Sequence, residues 1–149
     1  MPKAFDDGVT TLTESNFNKL LVGDGTVGDG NGVACFGGYI YWDSGTNFVI
    51  SNYWGATNIY DDMAVSWDGT NNVVALDLSG ITNLFKTPGY GPVCVAQQDI
   101  ATTPYHIQVA SASTLVWFKF VTTGASPAVV TVPDANMNFH FVLWGYLKA

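Results

Sequence analysis

Along most of this chain apolar and polar residues alternate in short runs, and turn-forming residues break the runs. The runs predict strands at Ala34 to Trp42, Asn47 to Tyr53, Ala64 to Trp67, Val73 to Leu78, Val93 to Gln97, His106 to Ala112, Leu115 to Thr122, Ala128 to Val132 and Asn138 to Leu147. Asp43-Ser44-Gly45, Asp68-Gly69, Pro88-Gly89 and Gly124 to Pro127 supply turns between them. Asp68-Gly69, followed by Thr70, Asn71 and Asn72, predicts a hairpin. Eight or nine strands without intervening helices define an all-β chain, most simply an antiparallel β-sandwich of jelly-roll-like form.

The first 32 residues read differently. Thr11 to Leu21 is the one stretch with helical spacing: Thr13 can cap, Glu14 suits the positive first turn, and Phe17, Leu20 and Leu21 share a face. Two or three turns are marginal alone, so such a helix must dock on something. Gly23 to Gly32, with five glycines, has the composition of a linker or long loop. The expected organisation is an N-terminal arm, helix and linker over 1–32 and a sandwich domain over 33–149.

The strand faces are unequal. In His106 to Ala112, Ile107 and Val109 point one way and His106, Gln108 and Ala110 the other, as in a sheet with one wet face. The last strand is apolar on both sides, with Phe139, Phe141 and Leu143 opposed by Val142, Trp144 and Tyr146. Leu115 to Val121 behaves likewise. Such strands need two covers, the partner sheet and a second body, so Phe139, Phe141, Leu143, Trp144 and Tyr146 are expected to serve core and subunit interface.

Composition sharpens this. Of 149 residues 48% are hydrophobic and only 11% charged, with five Lys, twelve acidic residues, no Arg and a net charge of −7. A soluble domain carries roughly 25% charged residues, and a surface this short of charge is expected to lose part of its area to other subunits. Disorder is excluded by the apolar and aromatic content. Nucleic-acid binding is excluded by the absence of guanidinium groups and the negative balance. No run reaches the ~18 apolar residues of a membrane span, and Met1 is followed by no signal-peptide pattern. Cys35 and Cys94 sit among apolar strand residues and read as two buried free thiols in preference to the alternative, a bridge.

Candidate chemistry is sparse. Gly23 to Gly28 matches G-x-G-x-x-G but follows a helix instead of a strand, and Asp24 and Asp29 would repel a pyrophosphate. Neither Asp24 nor Asp29 opens an EF-hand register, which leaves an irregular calcium site through Asp24, Asp29 and Asn31 as the alternative to a solvated loop. Asp61 and Asp62 would point to opposite faces of an extended segment and do not form a glycosidase pair. His106 and His140 lack partners for a metal shell, and there is no G-x-S-x-G elbow. No catalytic residue, metal or cofactor is therefore expected. Tyr39, Tyr41, Trp42, Tyr53 and Trp54 crowd the first third of the chain; they read either as core and interface residues or as ring faces for a glycan.

Two stretches resemble a known group. Asp7 to Leu21, in which a Gly8-Val9-Thr10-Thr11-Leu12-Thr13 opening leads to a helical stretch containing Asn18-Lys19, resembles a segment near the N-termini of tailed-bacteriophage fibre and appendage proteins. His106 to Val121 and Val132 to Tyr146 are similar to small β-sandwich modules of phage fibres and capsid appendages. The resemblance implies a non-enzymatic virion protein, a homotrimer attached to a capsid or tail protein through an N-terminal arm, here with Phe5, Leu12, Phe17, Leu20 and Leu21 as its apolar contacts. Only about 32 residues precede the sandwich, which favours a capsid decoration or short head-fibre protein on the particle's exterior. A lectin-like fibre tip that reads a bacterial surface glycan is the alternative.

Overall fold

The structure is a computed structural model, and it describes residues 33–43, 45, 47–55, 63–81, 93–99, 102–112 and 114–146. Eight strands are present among them: β1 (Val33–Asp43), β2 (Asn47–Gly55), β3 (Ala64–Asp68), β4 (Val73–Asp77), β5 (Val93–Gln98), β6 (Tyr105–Ser111), β7 (Leu115–Thr122) and β8 (Phe139–Tyr146). They form two four-stranded sheets, sheet A in the order β2-β1-β8-β5 and sheet B in the order β3-β4-β7-β6. Every strand pairing is antiparallel. The described residues thus form the expected all-β assembly of two antiparallel sheets. Hairpins β1–β2, β3–β4 and β6–β7 each stay within one sheet, and β8 fills the place between β1 and β5. The expected helix at Thr11 to Leu21, the arm residues Phe5, Leu12, Phe17, Leu20 and Leu21, and the Asp24, Asp29 and Asn31 calcium alternative lie outside the described residues.

The period-two pattern builds the core. Phe36 and Ile40 of β1, Phe118 and Phe120 of β7, and Phe139, Phe141 and Leu143 of β8 are fully buried. Phe118 meets Phe139 at 4.7 Å and Phe141 at 6.3 Å between ring centroids, and Phe120 meets Phe139 at 5.4 Å, so β7 and β8 stitch the two sheets together. Burying a Phe side chain contributes on the order of 1.5–3 kcal/mol, and these rings dominate the interior. Strand β4 is the continuous apolar run Val73 to Leu76, all of it buried.

Local chemistry ends the elements where the sequence places turn residues. In the β3–β4 hairpin the Asp68 carboxylate accepts from the backbone N–H groups of Thr70 (2.9 Å) and Asn71 (3.1 Å) and from the Asn71 side-chain amide (2.7 Å). Asn72 adopts the left-handed conformation (φ 54°) that brings the chain back into β4. The Asp77 carboxylate caps the next turn by accepting from the N–H of Ser79 (2.7 Å).

One expected strand is reduced. Ala128 to Val132 forms a single bridge, Val129 opposite Val121. Two backbone bonds of 2.9 Å, from Thr122 N–H to the Ala128 carbonyl and from Val130 N–H to the Phe120 carbonyl, place it beside the end of β7 that the short β4 does not reach. Pro127 and Pro133 flank it and carry no N–H to extend a ladder.

Candidate binding surface

Residues paired across neighbouring strands share a face, so the registers of sheet A fix what its outer surface carries. One rung runs Trp54, Gly37, Val142, Val95 across β2, β1, β8 and β5. The next, toward the start of β1, runs Cys35, Trp144, Val93. On the other side comes Ser51, Tyr39, His140, Gln97, and beyond it Tyr41 beside Val49. The outer face is therefore graded: apolar near the start of β1, polar and aromatic toward its end. Across all four strands the one formal charge is Asp43, at the far end of β1.

The apolar end is open to solvent. Val93 is 51% exposed, Val95 50% and Trp54 46%, while Val142 and Trp144 between them are half-buried. The Trp54 indole comes close to Gly37, where a Cβ would lie 2.7 Å from it and would also collide with the Phe141 carbonyl oxygen. A bulge makes this seat. Between the pairs Gly37–Trp54 and Tyr39–Ser51, β2 spends two residues against one, and Asn52 takes up the irregularity with φ 51°.

At the polar end Tyr39 is the hub. Its ring stacks on Tyr41 (5.8 Å, 22°) and lies 4.7 Å from the His140 ring. Its hydroxyl donates to the Asp99 carboxylate at 3.2 Å. Burial, and then the bond to Asp99 and its charge, push the Tyr39 hydroxyl above the usual tyrosine range.

The sequence-selected residues separate. Tyr39, Tyr41 and Trp54 face outward together, and Tyr53, in the bulge, is 40% exposed. Trp42 faces the core instead, packing on Phe48 at 4.9 Å, with its backbone N–H bonded to the Asn138 side chain at 3.1 Å. Trp144 lies on the outer face opposite Phe139, Phe141 and Leu143, and Tyr146 pairs with Val33 at the end of β8. Both cysteines are free. They cannot bridge, because Cys35 is on the outer face while Cys94 shares the inner face with Leu143. Burial pushes the Cys94 thiol up to about 12 and raises that of Cys35.

Val93 and Val95 were not singled out by the sequence reading. Their signal was the reversed alternation of β5, in which small Cys94 and Ala96 face the core and the valines face out. Outside sheet A, Trp117 of β7 (37%), Val129 opposite Val121 (41%) and the loop residue Val132 (70%) are singly exposed. His106 and His140 stand on the outer faces of different sheets. Among the described residues no three His, Cys, Asp or Glu side chains gather as a metal site, and no helix is long and apolar enough to cross a membrane.

Fold and surface together define a two-sheet antiparallel β-protein whose most distinctive feature is a nearly uncharged, partly aromatic sheet face. No family model, curated protein or solved structure matches the chain.

Proposed function

We propose that this chain is a non-enzymatic structural protein of a tailed-phage virion, a capsid decoration or short head-fibre protein that forms a homotrimer on the outside of the particle. The observation that carries the assembly part of this reading is the apolar end of the outer face of sheet A, where Trp54, Val95, Val93, Val142 and Trp144 adjoin with no charge among them. Such a patch suits protein contact better than solvent. The resemblance of Asp7 to Leu21 and of the C-terminal strands to phage appendage modules supports the virion setting, with residues 1–32 as the attachment arm to a capsid or tail protein. Eight strands in two sheets support the jelly-roll-like part of the reading. A net charge of −7 without Arg suits the exterior, away from packaged DNA, and no cofactor, nucleic acid or membrane enters the scheme. Light scattering over a concentration series tests the assembly: a trimer is expected, and Val95→Asp should weaken it at least tenfold. A chain that stays monomeric to 100 μM sinks the reading, as does a trimer indifferent to that charge.

A second reading, a lectin-like tip for a bacterial surface glycan, is favoured by the row Ser51, Tyr39, His140 and Gln97 with Tyr41 beside it. Rings and hydrogen-bonding groups alternate there on one face. Tryptophan fluorescence and a glycan array on the intact oligomer test it. Binding lost on Tyr39→Ala supports it, and silence across the array overturns it.

A further inference from the structure

We infer that the apolar end of the outer face of sheet A is also the seat of this chain's own N-terminal segment, Phe5 to Leu21, which competes there with a second subunit. The competition rests on the proposed assembly surface; the seat itself does not. Three observations converge on it. β1 begins at Val33, beside the Cys35, Trp144, Val93 rung, so the described strand starts at the apolar end of the sheet. The linker has the right reach. Gly23 to Gly32 supplies ten glycine-rich residues with a root-mean-square span of about 17–19 Å, and Val33 to Gly37, at the middle of the patch, is about 13 Å along the strand. The chemistry also matches. The segment carries Phe5, Leu12, Phe17, Leu20 and Leu21, the last three at helical spacing and in need of an apolar floor. Its charged residues, among them Asp6, Asp7, Glu14 and Lys19, meet no formal charge on the two rungs.

Tethering at this span gives an effective concentration in the millimolar range. A weak apolar contact is then well occupied in dilute solution and yields to a neighbouring subunit as the protein concentration rises. The covered state would raise the protein concentration at which the free chain assembles.

The two native thiols report the outcome. Cys35 lies on the outer face beside Trp144, and Cys94 on the core face serves as the folding control. The full-length chain and its Leu20→Asp/Leu21→Asp variant are compared with a maleimide reagent at a concentration where both are monomeric. Cys35 should react at least tenfold faster in the variant while Cys94 stays unreactive in both. The variant should also assemble at a lower protein concentration than the parent chain. Equal Cys35 rates overturn the seat. A variant with fast Cys35 that assembles less readily makes the segment part of the interface and overturns the competition. If neither chain assembles at any concentration, the proposed oligomer fails, and the thiol rates still decide the seat. If Cys94 becomes reactive, Phe17→Ser in the full-length chain, a milder change, replaces the double variant and is judged by the same two rates.

Discussion

Gly37 shows how one missing methyl group shapes a surface. Trp54 can lie across β1 only because Gly37 has no side chain, and the Phe141 carbonyl sits on the same spot. Gly37→Ala should lift the indole and strain the β1–β8 ladder, at a cost of about 1–3 kcal/mol for overpacking. A lowered urea midpoint with a changed tryptophan emission maximum would show it, and an unchanged midpoint would contradict the close approach. Cys94 sets a second expectation. Its folded-state thiol is raised to about 12, so the folded protein holds a proton that the unfolded chain releases from about pH 9. Stability is then fully present below pH 9 and falls as pH rises toward 12, by at most about 1.4 kcal/mol per unit for this group. Tyr105 adds to the fall in the same direction, since burial and the bond from its hydroxyl to Asp134 (2.6 Å) raise it to about 12. Denaturation curves at pH 8 and pH 10.5 measure this, and Cys94→Ala should flatten the difference.

At the scale of elements, the crossing from β5 of sheet A to β6 of sheet B is tied by the Gln98 side chain. Gln98, at the end of β5, accepts from the Tyr105 N–H at 2.6 Å, and its amide donates to the carbonyls of Asn136 (2.6 Å) and Thr103 (3.0 Å). It thereby ties the start of β6 and the loop before β8 to one point. Gln98→Ala leaves these groups without their partner and should cost about 1–3 kcal/mol. Faster amide exchange at Tyr105, with β3 and β4 unchanged, would locate the loss. The elements themselves were largely legible in the sequence, because a half-buried strand must alternate, as Ile107 and Val109 do. The β3–β4 hairpin was legible because Asp68 and Asn72 carry turn chemistry in their side chains. The Gln98 tie was not, since its partners are backbone groups 5, 7 and 38 residues away. The limit of Ala128 to Val132 was not legible either, because it depends on how far β4 runs along β7.

For the molecule as a whole, the sequence revealed a shortage of charge, and the fold shows how that shortage is distributed. Sheet A has Asp43 alone, while the strands of sheet B carry Asp68, Asp77 and Lys119. The double-faced character of β8 was visible from Trp144 and Val142, whereas the gradient across four strands needed the registers that align Trp54 with Val95. An interface on the apolar end should resist screening. The oligomer is expected to persist in 1 M sodium chloride and to tighten in sulfate, which strengthens apolar burial; dissociation in simple salt, followed by sedimentation, would assign the contact to charges instead.

The place of β8 between β1 and β5 also governs how the chain can be made. The facing edges of those two strands have no neighbour in the sheet until residues 139–146 exist, almost a hundred residues after β1 is complete. At ribosomal rates of about 5–20 residues per second that interval is on the order of 5–20 s. Throughout it the β1–β2 hairpin has its phenylalanines and the β1 edge uncovered, and sheet A closes only when β8 pairs with both β1 and β5. Synthesis, more than the finished fold, is the stage at which this protein is exposed to aggregation and to chaperones.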